Sequence, residues 1–391
     1  MDLEPETKLE KILAEINIQP AVRVLRNTGR GANGYKKSNI VKALIARQIE
    51  QIPNMTALYK RLDEDIKFAD TCGYKITEPI PSLDTLCRCF RNLAETDVLA
   101  RITEDLTAKT KELDMIDSEK VALDYSKLES YDSPRPSSQI DKDDPDRADW
   151  GAKQDSQKNV INWFGYKFHV VCDTSGEIIL AFKLTPANES DSEHALSLIE
   201  EAVTGLPEMP SYYLMDKGYD AEDIYENVAQ EYGGQAIISL NLRNSKQPKA
   251  GYYDFKGTPE CSAGHKMTYW GHDGKYNKFR CPHATGKVNC CHGMRWCTDS
   301  NYGLVVKTRP KDDFRLISLP HRDSRTWQEI YNERTSVERV FSRLKENFNL
   351  KNITVTGRKK AKAHVELSVI AHLASKIAVA RQQKVKKAVA A

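Results

Sequence analysis

Two short apolar runs constrain this chain most: Val121-Ala122-Leu123 leads straight into Asp124, and Tyr212-Tyr213-Leu214-Met215 leads straight into Asp216. Short apolar runs of β-branched, aromatic and aliphatic residues read as buried strands. If these two are parallel neighbours, their carboxylates converge at one end of the sheet. Carboxylates held a few ångströms apart repel unless a cation sits between them, and ligation by oxygen alone favours magnesium or manganese. Phosphoryl chemistry fits such a pair. An Asp at a strand end is also an ordinary turn former or helix cap, so neither residue decides the matter by itself.

The pattern around the two runs is mixed α/β. Further strands are expected at Tyr166 to Cys172, Glu177 to Leu184 and Gln235 to Ile238, with helices at Ser192 to Val203 and Ala221 to Tyr232. Three strands, a helix, a strand, a helix and another strand suit an RNase H-like sheet. Residues 133 to 159, rich in Pro, Ser and Asp, read as a polar loop between the first two strands. Before this core, residues from about 5 to 115 show helical spacing, with Ser38 and Ser82 as helix-start signals. Within that block, Thr56 to Phe68 and Leu83 to Leu93 flank Gly73, Pro79 and Pro81, the outline of a loose helix-turn-helix with Arg88 and Arg91 on its second helix. Such a bundle serves equally well for packing or dimerisation.

Helical periodicity returns at Thr326 to Phe348 and at Ala361 to Ala380. If one helix runs on from Tyr331, then Tyr331, Arg334, Glu338 and Lys345 stand at offsets 0, 3, 7 and 14, within roughly 60° of one another at about 100° per residue. Val337, Val340, Phe341, Leu344 and Phe348 form a separate apolar stripe. An ordinary polar flank with i,i+4 ion pairs has the same look, so this helix counts only together with Asp124 and Asp216.

Taken together, these residues resemble the signature of insertion-sequence DDE transposases, in the branch with a Tyr-x2-Arg-x3-Glu-x6-Lys motif. All four motif positions match. Asp216-Lys217-Gly218-Tyr219-Asp220 is similar to that family's second-aspartate segment, and Gly165 to His169 and Thr185 to Asn188 are similar to the strands between its first two aspartates. The resemblance covers about residues 120 to 375 and extends more weakly to the N-terminal helices. It implies an RNase H-like core in which Asp124, Asp216 and Glu338 bind catalytic Mg2+ (or Mn2+). It also implies that Arg334 and Lys345 hold phosphates at the transposon end and that Tyr331 contacts DNA near the cut. Trp327 is a candidate for stacking a flipped base.

Between the second aspartate and the glutamate, residues 241 to 312 carry Cys261, Cys281, Cys290, Cys291 and Cys297 with His265, His283 and His292. Thiolate and imidazole suit a structural zinc, and the expected ligands are Cys261, Cys281, Cys290 and Cys297, with His265 or Cys291 as replacements. Without a Cys-x2-Cys pair, a set of buried reduced thiols is the competing reading. Lys275, Lys278, Arg280, Lys287 and Arg295 of this insert are candidates for contacts to the DNA backbone.

The expected architecture is therefore an α/β RNase H-like mixed-sheet catalytic core with an N-terminal all-α domain and a Cys-rich inserted subdomain. Its parts are residues 1–115, the helical DNA-binding or dimerisation domain; 116–240, the first part of the core; 241–312, the insert; 313–380, the second part with the glutamate helix; and 381–391, a basic tail. With 391 residues, 40% of them hydrophobic, the chain can bury such a core. Residues 331–391 hold 14 Lys or Arg against 4 Glu, a local +10 beside about −7 for the remainder of a chain whose net charge is +3. A basic segment on an otherwise acidic chain is the footprint of a phosphate-facing surface. No uninterrupted apolar stretch of 18 residues and no signal-peptide layout at Met1 to Glu10 are present, so a cytoplasmic, nucleoid-associated protein is expected.

The expected activity is metal-dependent cleavage and strand transfer at terminal inverted repeats, with double-stranded DNA as partner and a homodimer in the DNA complex. Two alternatives come from other classes: a catalytically inactive, transposase-derived repressor that only binds DNA, and a structural zinc protein whose carboxylates are caps and turns.

Overall fold

A computed structural model describes residues 7–26, 34–134, 147–154, 157, 159–242, 245–290, 292–293 and 296–390. In chain order the helices are α1 (Lys8–Ala14), α2 (Gln19–Val24), α3 (Lys37–Ile49), α4 (Met55–Glu64), α5 (Ile66–Thr71), α6 (Leu83–Ala94), α7 (Val98–Glu112), α8 (Asp191–Val203), α9 (Glu222–Gln230), α10 (Arg325–Asn332), α11 (Thr335–Asn347) and α12 (Arg358–Ala390). The strands are β1 (Lys120–Glu129), β2 (Asp149–Gln154), β3 (Val160–Asp173), β4 (Ile179–Pro186), β5 (Tyr212–Met215), β6 (Gln235–Ile238), β7 (Thr268–His272), β8 (Asn277–Arg280) and β9 (Val305–Thr308). The fold is mixed α/β and divides into two compact units. One comprises Met1–Asp117, Tyr125–Glu189 and Val337–Ala391; the other comprises Ser118–Asp124 and Ser190–Ser336.

In the first unit, α12 is the central element and packs against α1, α3, α6, α7 and β4. Its residues Ala361, Val365, Val369, Ile370, Leu373 and Ile377 are buried on more than one face, as an interior helix requires. Although α12 is long and apolar enough on average to cross a membrane, 78% of its most apolar window is buried inside the fold. It continues through the segment expected as a separate tail as far as Ala390, because Gln382, Gln383, Lys384 and Lys386 are good helix formers and no Gly or Pro intervenes. In this interior His364 lies between Gln48 Nε2 at 3.3 Å and the Asn349 carbonyl at 2.9 Å. Burial, with Arg47 nearby, holds the His364 imidazole down at about 3, so it is neutral.

Several helix boundaries differ from the sequence expectation. Ser38 lies inside α3, whose N-cap is Lys36. Thr56 to Phe68 is two helices, since Asp65 leaves helical geometry and its carboxylate accepts the Phe68 amide at 3.1 Å, capping α5. Ser82 caps α6 as expected. The loop expected over 133 to 159 contains strand β2, antiparallel to β3 from Asp149↔Gly165 to Gln154↔Val160. Residues 135–146 of that loop lie outside the described residues.

Antiparallel β3 and β4 join at a turn where Glu177 has a positive φ of 54°. The buried Glu177 carboxylate takes ion pairs from Arg339 at 2.5 Å and from Arg343, both on α11, and from Lys376 of α12 at 3.7 Å. These contacts, with Phe341 edge-on to Phe168 at 5.9 Å, fix α11 within this unit.

In the second unit, the first residues of β1 pair in parallel with β5, and β5 pairs in parallel with β6. Helix α9 covers β6 and contacts α8. A smaller antiparallel sheet, β7-β8-β9, lies within the span expected as an insert. Its buried centre is Phe279, against which His321 packs edge-on at 5.2 Å while Tyr269 stacks on His321 at 5.3 Å.

Glu366 of α12 is 3% exposed, and burial pushes its carboxyl up to about 7 despite Lys362. A raised carboxyl contributes stability fully present below its unfolded value near 4.5, and that contribution is lost as the pH climbs through about 7. Glu366→Gln is therefore expected to raise stability at pH 8 by up to about 3 kcal/mol and to be near neutral at pH 4.5, measured by denaturant unfolding at both. An equal effect at the two pH values would refute the assignment.

Candidate active site

The register Leu123↔Met215 makes Asp124, within β1, and Asp216, just after β5, the next residues beyond the last paired positions, so their backbones start about 4.8 Å apart. Val121, Ala122, Leu123, Tyr213, Leu214 and Met215 are all buried, which locks the register from behind. Asp216 Oδ1 accepts the Gly218 amide at 2.7 Å, and a Cβ on Gly218 would lie 2.9 Å from that oxygen. Glycine at 218 thus leaves room for the carboxylate. The same virtual Cβ would lie 3.7 Å from Asp191 Oδ2, which brings a third acidic side chain, from the start of α8, to this corner. Its only sequence signal was its place just after Thr185 to Asn188.

Arg334 donates from Nη1 to Asp124 Oδ2 at 2.9 Å, with both side chains about 15% exposed (16% and 15%). A guanidinium so placed offsets part of the charge that two neighbouring carboxylates would otherwise leave unbalanced. Tyr331 stands on the same side: burial pushes its phenol up, Arg334 opposes this, and the charge of Asp216 adds to it. Its ring stacks on Trp327 at 4.9 Å and 12°.

Trp327 is 5% exposed and its indole N–H donates to Ser318 Oγ at 2.9 Å, so in this structure it is a core residue rather than an accessible stacking surface. Nor do Tyr331 and Arg334 share a helix with Glu338. Helix α10 ends at Asn332, and the chain turns through Glu333 and Arg334 before α11 starts at Thr335. Three-residue turns, from Glu333 N–H to Ile330 O and from Arg334 N–H to Tyr331 O, both at 3.1 Å, close α10, and Thr335 Oγ1 donates to the Asn332 carbonyl at 2.9 Å. The single-helix arithmetic therefore holds for Glu338 and Lys345 alone.

The second unit gathers Asp124, Asp216, Tyr331 and Arg334, whereas Glu338 and Lys345 belong to the first unit. Glu338 is exposed on α11, beside the buried stripe Val337, Val340, Phe341 and Leu344. Burial, then the neighbouring ammonium groups of Lys127 and Lys153, hold Lys345 below the ordinary lysine value. Lys153 Nζ and Lys167 Nζ lie 5.6 and 4.9 Å from the Tyr125 ring centroid. This basic group spans β1, β2, β3 and α11; Lys127 and Lys153 had no sequence signal, whereas Lys167 lies in the segment Gly165 to His169. Among the described residues no three His, Cys, Asp or Glu side chains already stand in a metal-holding arrangement. The paired Asp oxygens are nevertheless the donor type that a hard divalent ion takes.

The second-aspartate segment is anchored by its last residue. Asp220 is buried, receives Arg315 through two bonds of 3.0 and 2.7 Å, and also accepts from Tyr225 Oη at 3.0 Å and the Asn241 amide at 2.7 Å. The motif thus combines one aspartate at the sheet end with one that holds the following loop in place.

The transposase DDE domain family model matches residues 117–374, and a transposase domain (DUF772) matches residues 2–92. The chain belongs to the DDE transposases. No curated protein matches it. Among solved structures it is similar to piggyBac transposase in a synaptic complex with hairpin DNA, at 13% identity and a TM-score of 0.44, over 97% of this chain and 75% of that one. This transposase carries its Asp pair where the two strand runs predict it.

Asp220→Ala removes four hydrogen bonds and leaves Arg315 without its carboxylate. It is expected to cost about 3 kcal/mol in denaturant unfolding; a loss below about 1 kcal/mol would show that the anchor is dispensable.

Proposed function

We propose that this transposase binds the terminal inverted repeats of an insertion sequence and catalyses metal-dependent DNA cleavage and strand transfer, with Asp124, Asp216 and Glu338 as the metal-binding triad. The parallel register ending at Leu123↔Met215, which makes Asp124 and Asp216 neighbours just beyond it, carries the reading. Bound Mg2+ (or Mn2+) would supply charge neutralisation at the attacking and departing oxygens. In cleavage, water attacks the phosphorus at the element boundary, the bond to the 3′ oxygen breaks, and the element keeps a free 3′-hydroxyl. In strand transfer, that hydroxyl attacks a target phosphodiester in its turn.

The chain's own residues fill the remaining roles in this reading. Arg334 balances the Asp124 charge before DNA arrives and is placed to share its guanidinium with a phosphate afterwards. Tyr331, held between Trp327 and Arg334, presents its phenol beside Asp216. Lys345, with Lys127 and Lys153, holds the backbone of the transposon end, since ammonium groups crowded against one another gain most from a phosphate. Arg88 and Arg91 are exposed on α6, in the segment of the N-terminal transposase domain suited to further DNA contacts. A homodimer on two DNA ends is the expected working assembly.

Asp124→Asn, Asp216→Asn and Glu338→Gln are each expected to abolish cutting of labelled element ends in magnesium while keeping DNA affinity within about tenfold, because each removes a metal ligand and not a phosphate contact. Cleavage surviving in any one of them would remove that residue from the triad. Lys345→Ala is expected to weaken end binding and to reduce the salt slope of binding by about one. An unchanged slope would assign Lys345 to packing.

A further inference from the structure

Trp327 and Tyr331 stand four residues apart on α10, so their side chains share one face of the helix. Their rings stack at 4.9 Å and 12°. A near-parallel stack fixes the plane of the smaller ring only where the larger ring is itself fixed. Trp327 meets that condition: it is 5% exposed, and its indole N–H donates to Ser318 Oγ at 2.9 Å. An indole carries a single donor with one direction, so this bond sets the rotation of the ring.

Ser318 is in turn held by its surroundings. Ile317, Ser318 and Leu319 are all buried. The Ser318 carbonyl accepts from Asn277 Nδ2 of β8 at 2.9 Å, and the Leu319 amide donates to Gln235 Oε1, at the start of β6, at 3.0 Å. Just before them, the Leu316 carbonyl accepts from Arg322 Nη1 at 2.8 Å. The acceptor for the Trp327 indole is therefore fixed to the parallel strands through β6 and to the small sheet through β8.

The other side of the stack faces Asp216. Ile238 pairs with Met215, as Met215 pairs with Leu123, so Ser239 is the neighbour of Asp216 one strand further on. The Tyr331 phenol lies next to the Ser239 side chain and feels the charge of Asp216. The Arg334 guanidinium, 5.8 Å from the centroid of the Tyr331 ring, donates to Asp124. A chain of contacts thus runs from Asn277 and Gln235 through Ser318, Trp327 and Tyr331 to Asp216.

We propose that Ser318 and Trp327 are positioning residues for Tyr331: Ser318 fixes the indole, the indole fixes the phenol beside Asp216, and DNA cutting depends on both residues through Tyr331, on the reading of Tyr331 as part of the cutting site. Neither Ser318 nor Trp327 touches DNA in this role. Packing asks of Trp327 only apolar volume, whereas the bond to Ser318 adds an orientation that packing alone does not require.

Two readouts on the full chain test this, and the first needs no DNA. 3-Fluorotyrosine placed at position 331 alone gives one fluorine resonance, whose shift contains the ring current of Trp327. Ser318→Ala is expected to move and broaden that resonance, Ser318→Thr to restore it, and Trp327→Leu to move it further. The second readout is cutting of labelled element ends at saturating DNA. Ser318→Ala is expected to slow the cut about tenfold, as loss of one hydrogen bond does, and Trp327→Leu about a hundredfold, with end affinity kept within about threefold. In a Tyr331→Phe background the same two substitutions should change the rate by less than about twofold, because their effect passes through the phenol. A resonance unmoved by both Ser318→Ala and Trp327→Leu would overturn the proposal, as would rate losses that persist in full in the Tyr331→Phe background. If the resonance moves as expected but the unsubstituted chain cuts no element ends, the cutting reading of the site is at fault and the positioning of Tyr331 stands.

Discussion

The parallel pairing of β1 with β5 is the constraint on which the rest of the structure depends. A strand's side chains alternate, so a slip of one residue would turn Asp124 or Asp216 to the opposite face and bury polar groups among Val121, Leu123 and Met215. The hydrophobic cost of that slip fixes the register, and the register fixes the carboxylates. Charge repulsion between them is the consequence, and Arg334 and the Gly218 amide are the local answers to it. Behind the pair, Asp220 ties the following loop to Arg315 and Tyr225. The acidic end of the sheet is held by burial on one side and by hydrogen bonds on the other.

The glutamate helix is positioned by a different interaction. Glu177, at a left-handed turn between β3 and β4, draws Arg339 and Arg343 of α11 and Lys376 of α12 onto one buried carboxylate. Removal of one partner from such a cluster leaves uncompensated charge, so α11 has little freedom to rotate. Its buried stripe from Val337 to Leu344 sets the same orientation independently and leaves Glu338 on the exposed face.

Much of this was legible in the sequence because the signals were local. The run ending in Asp216, the strand at Gln235 to Ile238 and the Ser82 cap depend on a few adjacent residues, and the structure places them as read, whereas β1 runs on past Asp124 to Glu129. The failures share a cause. Strand β2 carries Trp150, Gly151, Ala152 and Lys153 without alternation, and only its pairing with β3 makes it a strand. The break between α10 and α11 has neither Gly nor Pro; it is closed by three-residue turns and the Thr335 hydroxyl. Asp191, Lys127, Lys153 and Glu177 acquire their positions from residues far away in the chain, which no periodicity reports.

The most direct measurement of the central claim is iron-directed self-cleavage of the backbone. Fe2+ in place of magnesium, with ascorbate and peroxide, cuts the chain beside the residues that hold it. The account predicts cuts next to Asp124 and Asp216, suppressed by excess magnesium and lost in Asp124→Asn. Cuts confined to other segments, or persisting unchanged in that variant, would contradict a divalent ion shared by Asp124 and Asp216.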